Sequence, residues 1–167
     1  MSAATVTRTH DGLLIARRFA APRELVFRTL SEPEHLKQWW GPPGFPVDHC
    51  SVDFRPGGVW HYSLRGRDGS EVWARSVYRE IVPPERVTYL ERSSDPSGAV
   101  TDARPGAFVT IELHDDDGGT AFTARIRYLN ELDRDRAIQG GVERGFSRAL
   151  DLLADLLGRL VEERDTP

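Results

Sequence analysis

Three of the four tryptophans cluster in two turn-rich segments, Trp39-Trp40-Gly41-Pro42-Pro43-Gly44-Phe45 and Asp53-Phe54-Arg55-Pro56-Gly57-Gly58-Val59-Trp60. Adjacent tryptophans cannot share one face of a strand, because successive side chains alternate. At the end of a short helix they spread across the hinge between helix and sheet, where they build either a core corner or the mouth of an apolar cavity. Pockets for small molecules are lined mainly by apolar and aromatic groups, so the chemistry on offer is capture of a small hydrophobic or aromatic molecule. Alternation puts Trp60 and Tyr62 on one face; Tyr78, Tyr89 and Phe146 complete the preferred lining, with Trp39 and Trp40 bracing the entrance. Trp73 lies on the opposite strand face from Tyr78, so one of that pair belongs outside the pocket. The plainer alternative is that all these rings pack the core.

Polar groups inside such a cavity would supply specificity or proton transfer. His49, His61, Arg75, Ser76 and Glu91 are the candidates. No His–Asp or Tyr–Arg pairing stands out by spacing, and the simpler placement for all five is the convex surface. No catalytic residue is assigned, and whether the chain is an enzyme stays open. The histidines at positions 10, 35, 49, 61 and 114 include no i,i+4 pair on a helix. His49 and His61 could approach across neighbouring strands, yet zinc would need a further ligand. Asp115-Asp116-Asp117-Gly118-Gly119 lacks the loop length and terminal glutamate of a calcium hand and reads as a hairpin turn. Neither a metal nor a cofactor is expected. Cys50 shares an apolar face with Val52 and Phe54, where a thiol is inert. Nucleophile elbows and phosphate-cradling loops are missing. Asp53 and Arg55 flank the Gly57-Gly58 turn and are read as an ion pair that pins it.

The elements that position these residues follow from periodicity. Gly12 to Phe19 reads as a strand, with Leu13, Ile15 and Arg17 on one face. A helix runs from Pro22 to Leu30, and Ser31 with Glu34 has the spacing of a capping box for a second helix, Glu32 to Trp39. Period-two segments then recur at Val47 to Phe54, Val59 to Leu64, Val72 to Val82, Arg86 to Arg92, Ala107 to Leu113 and Thr120 to Leu129. The period changes to three and four through Ile138, Val142, Phe146, Ala149, Leu153, Leu156, Leu157 and Leu160, which predicts one long helix from Asp133 to Glu163. Gly140, Gly141 and Gly145 lie inside it. Each costs about 1 kcal/mol against alanine, a cost tolerated where backbone approaches the sheet or a ligand, so Gly145→Leu is expected to be damaging.

Composition narrows the class further. The chain has 167 residues, 39% hydrophobic and 29% charged, with a net charge of -4. This fits one domain, 1-167, with an ordinary core. No basic stripe offers a nucleic-acid footprint, and no apolar run reaches membrane-spanning length, so neither nucleic acid nor membrane insertion is expected. Met1 to His10 is polar, without the apolar region of a signal peptide. One cysteine is compatible with a reducing compartment, and a cytoplasmic location is the expectation. Exposed edge strands leave a homodimer open.

In this order, the elements and several motifs resemble a known family. Arg18-Phe19-Ala20-Ala21-Pro22-Arg23-Glu24-Leu25-Val26-Phe27, Pro33-Glu34-His35-Leu36-Lys37-Gln38-Trp39-Trp40-Gly41-Pro42, Asp53-Phe54-Arg55-Pro56-Gly57-Gly58, Ile81-Val82-Pro83-Pro84-Glu85-Arg86-Val87 and Gly141-Val142-Glu143-Arg144-Gly145-Phe146 are similar to bacterial homologues of the activator of the heat-shock-protein-90 ATPase, in the START-like (SRPBCC) superfamily. The resemblance spans roughly residues 12-160. It implies an α+β helix-grip fold, a curved antiparallel sheet around a long C-terminal helix with a cavity between them. It also implies three alternatives for function: a hydrophobic-ligand binder tied to stress or resistance, a polyketide cyclase or aromatase, or a chaperone-interacting module like the eukaryotic activator. That activator has a separate chaperone-binding domain for which this chain has no room, which leaves a chaperone the weakest partner. Fold alone selects none of them.

Overall fold

The computed structural model describes residues 3-166. Its elements run β1 (Thr5–Arg8), β2 (Gly12–Phe19), α1 (Arg23–Ser31), α2 (Pro33–Trp39), β3 (Val47–Val52), β4 (Val59–Arg65), β5 (Glu71–Val82), β6 (Arg86–Ser93), β7 (Ala107–Asp116), β8 (Gly119–Tyr128), α3 (Glu131–Gln139) and α4 (Val142–Asp165). The strands form one antiparallel sheet in the order β1-β2-β8-β7-β6-β5-β4-β3. This is the curved antiparallel sheet and long terminal helix of the helix-grip fold. Hairpins join β3 through β8 in sequence, and β2 closes onto β8 over its whole length, from Gly12↔Arg127 to Phe19↔Thr120.

Alternation sorts each strand into an inner and an outer face. The inner row of β8, Phe122, Ala124, Ile126 and Tyr128, is buried, as are its partners Leu113, Ile111, Val109 and Ala107 on β7. Helix α4 supplies the opposing layer. Ala149, Leu150, Leu153, Leu156 and Leu157 are its buried residues, spaced so that they form one stripe. The stripe occupies the C-terminal half, while Val142, Gly145 and Phe146 near the N-terminus are only half-buried. The helix therefore packs tightly at one end and leaves space at the other.

Four details depart from the sequence reading. The helix expected over Asp133 to Glu163 is two helices, broken at Gly140-Gly141. Gly141 adopts φ 91, a left-handed conformation that costs glycine nothing for want of a Cβ. Its carbonyl then accepts the Gly145 amide at 2.9 Å to start α4. Helix α3 begins earlier than expected, because the Asn130 side chain accepts the Asp133 amide at 2.8 Å. The capping box at Ser31 is not formed: Ser31 is the last residue of α1, Glu32 precedes α2 without a side-chain cap, and the Ser31 hydroxyl donates to the Arg28 carbonyl at 3.2 Å. Strand β1 was not anticipated. It is short and polar, pairs Thr5↔Ala16 through Arg8↔Leu13, and is tied to α4 by Arg8, whose guanidinium donates to both Glu143 carboxylate oxygens at 3.1 and 2.9 Å.

Candidate functional site

Space remains where small side chains sit on the inner face. On β5, Ala74 and Ser76 lie between Tyr62 and Trp60 of β4 and Ser93 and Glu91 of β6. Ala107 lies opposite Glu91 on β7. With this row lowered, and α4 standing off at its N-terminal end, two cavities open between sheet and helices. One encloses about 200 Å³ and is bounded by Trp40, Leu64, Tyr89, Val109, Ile126 and Phe146, with Glu91 and Tyr128. The other, about 290 Å³, runs outward past Tyr62, Glu91, Ser93 and Tyr128 to Arg92, Arg104, Arg136 and the Gly140-Gly141 break. Leu64, Glu91, Tyr128 and Val142 border both.

The polar centre of this space is a pair. The Tyr62 hydroxyl donates to Glu91 Oε1 across the intervening strand. Burial pushes the Glu91 carboxyl above the ordinary glutamate range, partly opposed by the Tyr62 hydrogen bond and by the Arg104 charge. Burial also raises the Tyr62 phenol well above its usual value, and the neighbouring Glu91 charge adds to this. Tyr89 is raised for the same two reasons in the same order. Arg104, the nearest cation by its influence, is held elsewhere: its Nη2 donates to the Trp73 carbonyl at 2.9 Å.

The aromatic residues singled out by alternation divide between these spaces. Trp40, Tyr62, Tyr89 and Phe146 border the two cavities. Trp39, Trp60 and Tyr78 enclose, together with Trp40 and Tyr89, only about 10 Å³. Trp39 is fully buried, and its Nε1 donates to the Thr29 carbonyl at 2.9 Å, which locks α2 onto α1. Trp40 joins the groups. Its ring meets Trp39, Trp60, Tyr62 and Phe146 edge-on, with centroids 5.3, 4.7, 6.0 and 5.8 Å away. Such edge-to-face contacts add to simple burial.

Among the polar candidates, Ser76 and Glu91 lie on the inner face rather than the convex one. Ser76 is fully buried, and its hydroxyl has no hydrogen-bond partner among the described residues. His49, His61 and Arg75 are on the outer face, where His49 and His61 do approach, with ring centroids 5.6 Å apart, and both lie against Trp73. His61 Nε2 lies 3.2 Å from the Ser94 hydroxyl. Among the described residues, no group of three or more potential ligands could hold a metal ion. The half-buried Cys50 thiol is pushed up by burial. The Asp53–Arg55 pair forms as read, with Arg55 Nε 2.9 Å from both carboxylate oxygens. No described helix is long and apolar enough to cross a membrane.

Sequence reasoning did not find the Tyr62–Glu91 pair, nor the part of Tyr128, Arg104 and Arg136. A signal for the pair was present: Ala74 and Ser76, two small residues on one strand face, flanked by strands carrying an inward tyrosine and an inward glutamate.

The sheet, the terminal helix and the space between them define the START-like class. The family model described as Activator of Hsp90 ATPase homolog 1-like protein matches residues 20–158, and the chain belongs to that family. Solved structures agree. Protein Ms6760 from Mycobacterium smegmatis is 26% identical, with 93% of this chain and 97% of that one covered and a TM-score of 0.85. Protein NE0264 from Nitrosomonas europaea is also 26% identical, with 93% and 99% covered and a TM-score of 0.81. A protein from Arthrobacter aurescens, 22% identical over 95% and 93% of the two chains, shares the fold at a TM-score of 0.88. A comparison with curated proteins returns no match. Membership supports ligand binding or protein interaction in general terms.

Proposed function

We propose that this chain is a single-domain, cytoplasmic binding module that takes up a small hydrophobic or aromatic molecule between the sheet and α3–α4. One observation carries the reading: two adjoining cavities, the inner one of about 200 Å³ walled by Trp40, Leu64, Tyr89, Val109, Ile126 and Phe146 and the outer one of about 290 Å³ reached past Tyr62 and Glu91. Together they fall in the lower part of the size range of small-molecule sites, roughly 300 to 1,000 Å³, with the apolar walls concentrated in the inner cavity and the polar groups in the outer one. The test is native mass spectrometry after incubation with a mixed lipid and aromatic library. A retained species that is lost on Phe146→Ala or Trp40→Ala supports the reading. No retained species from any class overturns it.

An enzyme of the cyclase or aromatase kind is the second reading, because two titratable groups, Tyr62 and Glu91, converge in the cavity. Such a pair can orient a carbonyl and move a proton. Turnover of a poly-β-ketone mimic, lost in both Tyr62→Phe and Glu91→Gln, supports it. Turnover that is absent, or indifferent to both changes, removes it.

A further inference from the structure

Glu91 is the only carboxylate among the described residues bordering the two cavities. Its place is fixed by register rather than by a flexible loop: Glu91 pairs with Ser76 on β5 and with Ala107 on β7, so small neighbours leave its carboxyl facing open space. It receives one hydrogen bond, from Tyr62, at Oε1. An ionised carboxylate has acceptor sites on both oxygens, and among the described residues Oε2 receives no hydrogen bond and no basic nitrogen lies within ion-pair distance. The three arginines bordering the outer cavity do not fill that role. Arg104 is tethered to the Trp73 carbonyl, Arg136 lies 3.5 Å from Asp133, and Arg92 is on the exposed rim.

The surroundings of that carboxylate are aromatic. Trp40, Tyr62, Tyr89, Tyr128 and Phe146 border the same space. A ring face attracts a cation through its quadrupole, and a half-buried carboxylate gains most from a partner that brings positive charge with it. An anionic guest would add a second negative charge beside Glu91. A neutral guest of equal shape would leave the carboxylate uncompensated.

We infer that the molecule captured in this cavity is an organic cation, a lipophilic primary or secondary amine whose ammonium docks on Glu91 while its apolar body lies against Trp40, Val109, Ile126 and Phe146. This rests on the proposed binding function and names the chemical class of its ligand. The ammonium donates to the free oxygen of Glu91, Tyr62 holds the other oxygen, and the rings of Trp40 and Tyr89 flank the charge.

Matched ligand series test the inference: tryptamine, tryptophol and indole-3-acetate, with the corresponding amines, alcohols and acids built on phenyl, naphthyl and medium-chain alkyl bodies. Binding is measured by calorimetry and native mass spectrometry on the full chain. Amines are expected to bind about tenfold or more tightly than the alcohol of the same body, with the acids weakest. In Glu91→Gln, whose amide oxygen still accepts from Tyr62, the preference for the amine over the alcohol of the same body is expected to vanish. Thermal unfolding of that variant checks that it is folded. Alcohols or acids binding as well as amines would overturn the cation assignment and leave the cavity reading standing. A preference for amines that survives Glu91→Gln would overturn it too. If no member of any series binds, the cation assignment and the cavity reading fall together.

Discussion

Tyr62 and Glu91 sit on strands that are not neighbours, and their side chains meet over Ala74 and Ser76 of the strand between them. The contact exists because β5 presents two small residues there. It places a half-buried carboxyl inside a space otherwise walled by hydrocarbon and rings. Any activity of the cavity has to reckon with that group.

Glu91 should leave a signature in the pH dependence of stability. Its folded-state value lies above the ordinary one, chiefly because of burial. The folded chain therefore holds this proton more tightly than the unfolded chain does. Stability falls as pH rises from the ordinary glutamate value, about 4.3, through the raised folded value, and is level beyond it. Glu32 and Glu143, lowered chiefly by hydrogen bonds from Arg28 and Arg8, act with the opposite sign and are common to both proteins. Urea unfolding of wild type and Glu91→Gln across this range should show the variant gaining relative stability as pH rises. A constant difference between the two would contradict the assignment.

Trp39 and Trp40 are neighbours with different duties. Trp39 is fully buried and hydrogen-bonded to the Thr29 carbonyl. Trp39→Ala should cost about 3–5 kcal/mol in denaturant unfolding. Trp40 is half-buried at the cavity wall, so Trp40→Ala should cost about 1–2 kcal/mol yet remove ligand retention. Equal costs for the two would show that Trp40 belongs to the core as Trp39 does.

How far the sequence carried the reading depended on the range of the signal. Strand alternation and turn chemistry are local, so seven of the eight strands and the inner positions of Trp60, Tyr62, Tyr78 and Tyr89 were legible. Strand β1 was not, because Thr5–Arg8 is short and polar and owes its pairing to β2. The break at Gly140-Gly141 is visible in composition but not in periodicity, since the apolar period continues across it. The cavity is a relation between distant elements. No local pattern says that α4 stands off the sheet at Phe146 and closes onto it at Leu153.

Gly145 shows what that stand-off implies. A Cβ there would meet nothing nearer than Pro42 Cγ, at 4.0 Å. Close approach to the sheet therefore does not explain this glycine, and the damage expected for Gly145→Leu has no steric cause at the β-carbon. Gly145→Ala should stabilise α4 by about 1 kcal/mol, as should Gly158→Ala, where nothing lies within 4 Å. Gly145→Leu should stay folded and fill the inner cavity beside Phe146. Thermal unfolding reads the first effect and loss of ligand retention the second. Destabilisation by Gly145→Ala would refute the geometric argument.

Arg17 presents the opposite problem, a cation on the inner face of β2 between Ile15 and Phe19. It is 6% exposed. Its Nη1 donates to Asp151 Oδ1 on α4 at 2.6 Å, and its guanidinium carbon lies 5.3 Å from the centre of the Phe19 ring. Nε has no hydrogen-bond partner among the described residues. The arginine is almost wholly desolvated while the aspartate is mostly exposed, so the two partners lose unequally when separated. Asp151→Ala strands a buried charge and should cost about 2–3 kcal/mol. Arg17→Met leaves a solvated aspartate behind a side chain suited to the core, and should change stability by about 1 kcal/mol or less. The double variant should match Arg17→Met alone, because the penalty belongs to the stranded guanidinium and not to the missing carboxylate. A double variant as unstable as Asp151→Ala would instead place the cost in the packing of α4.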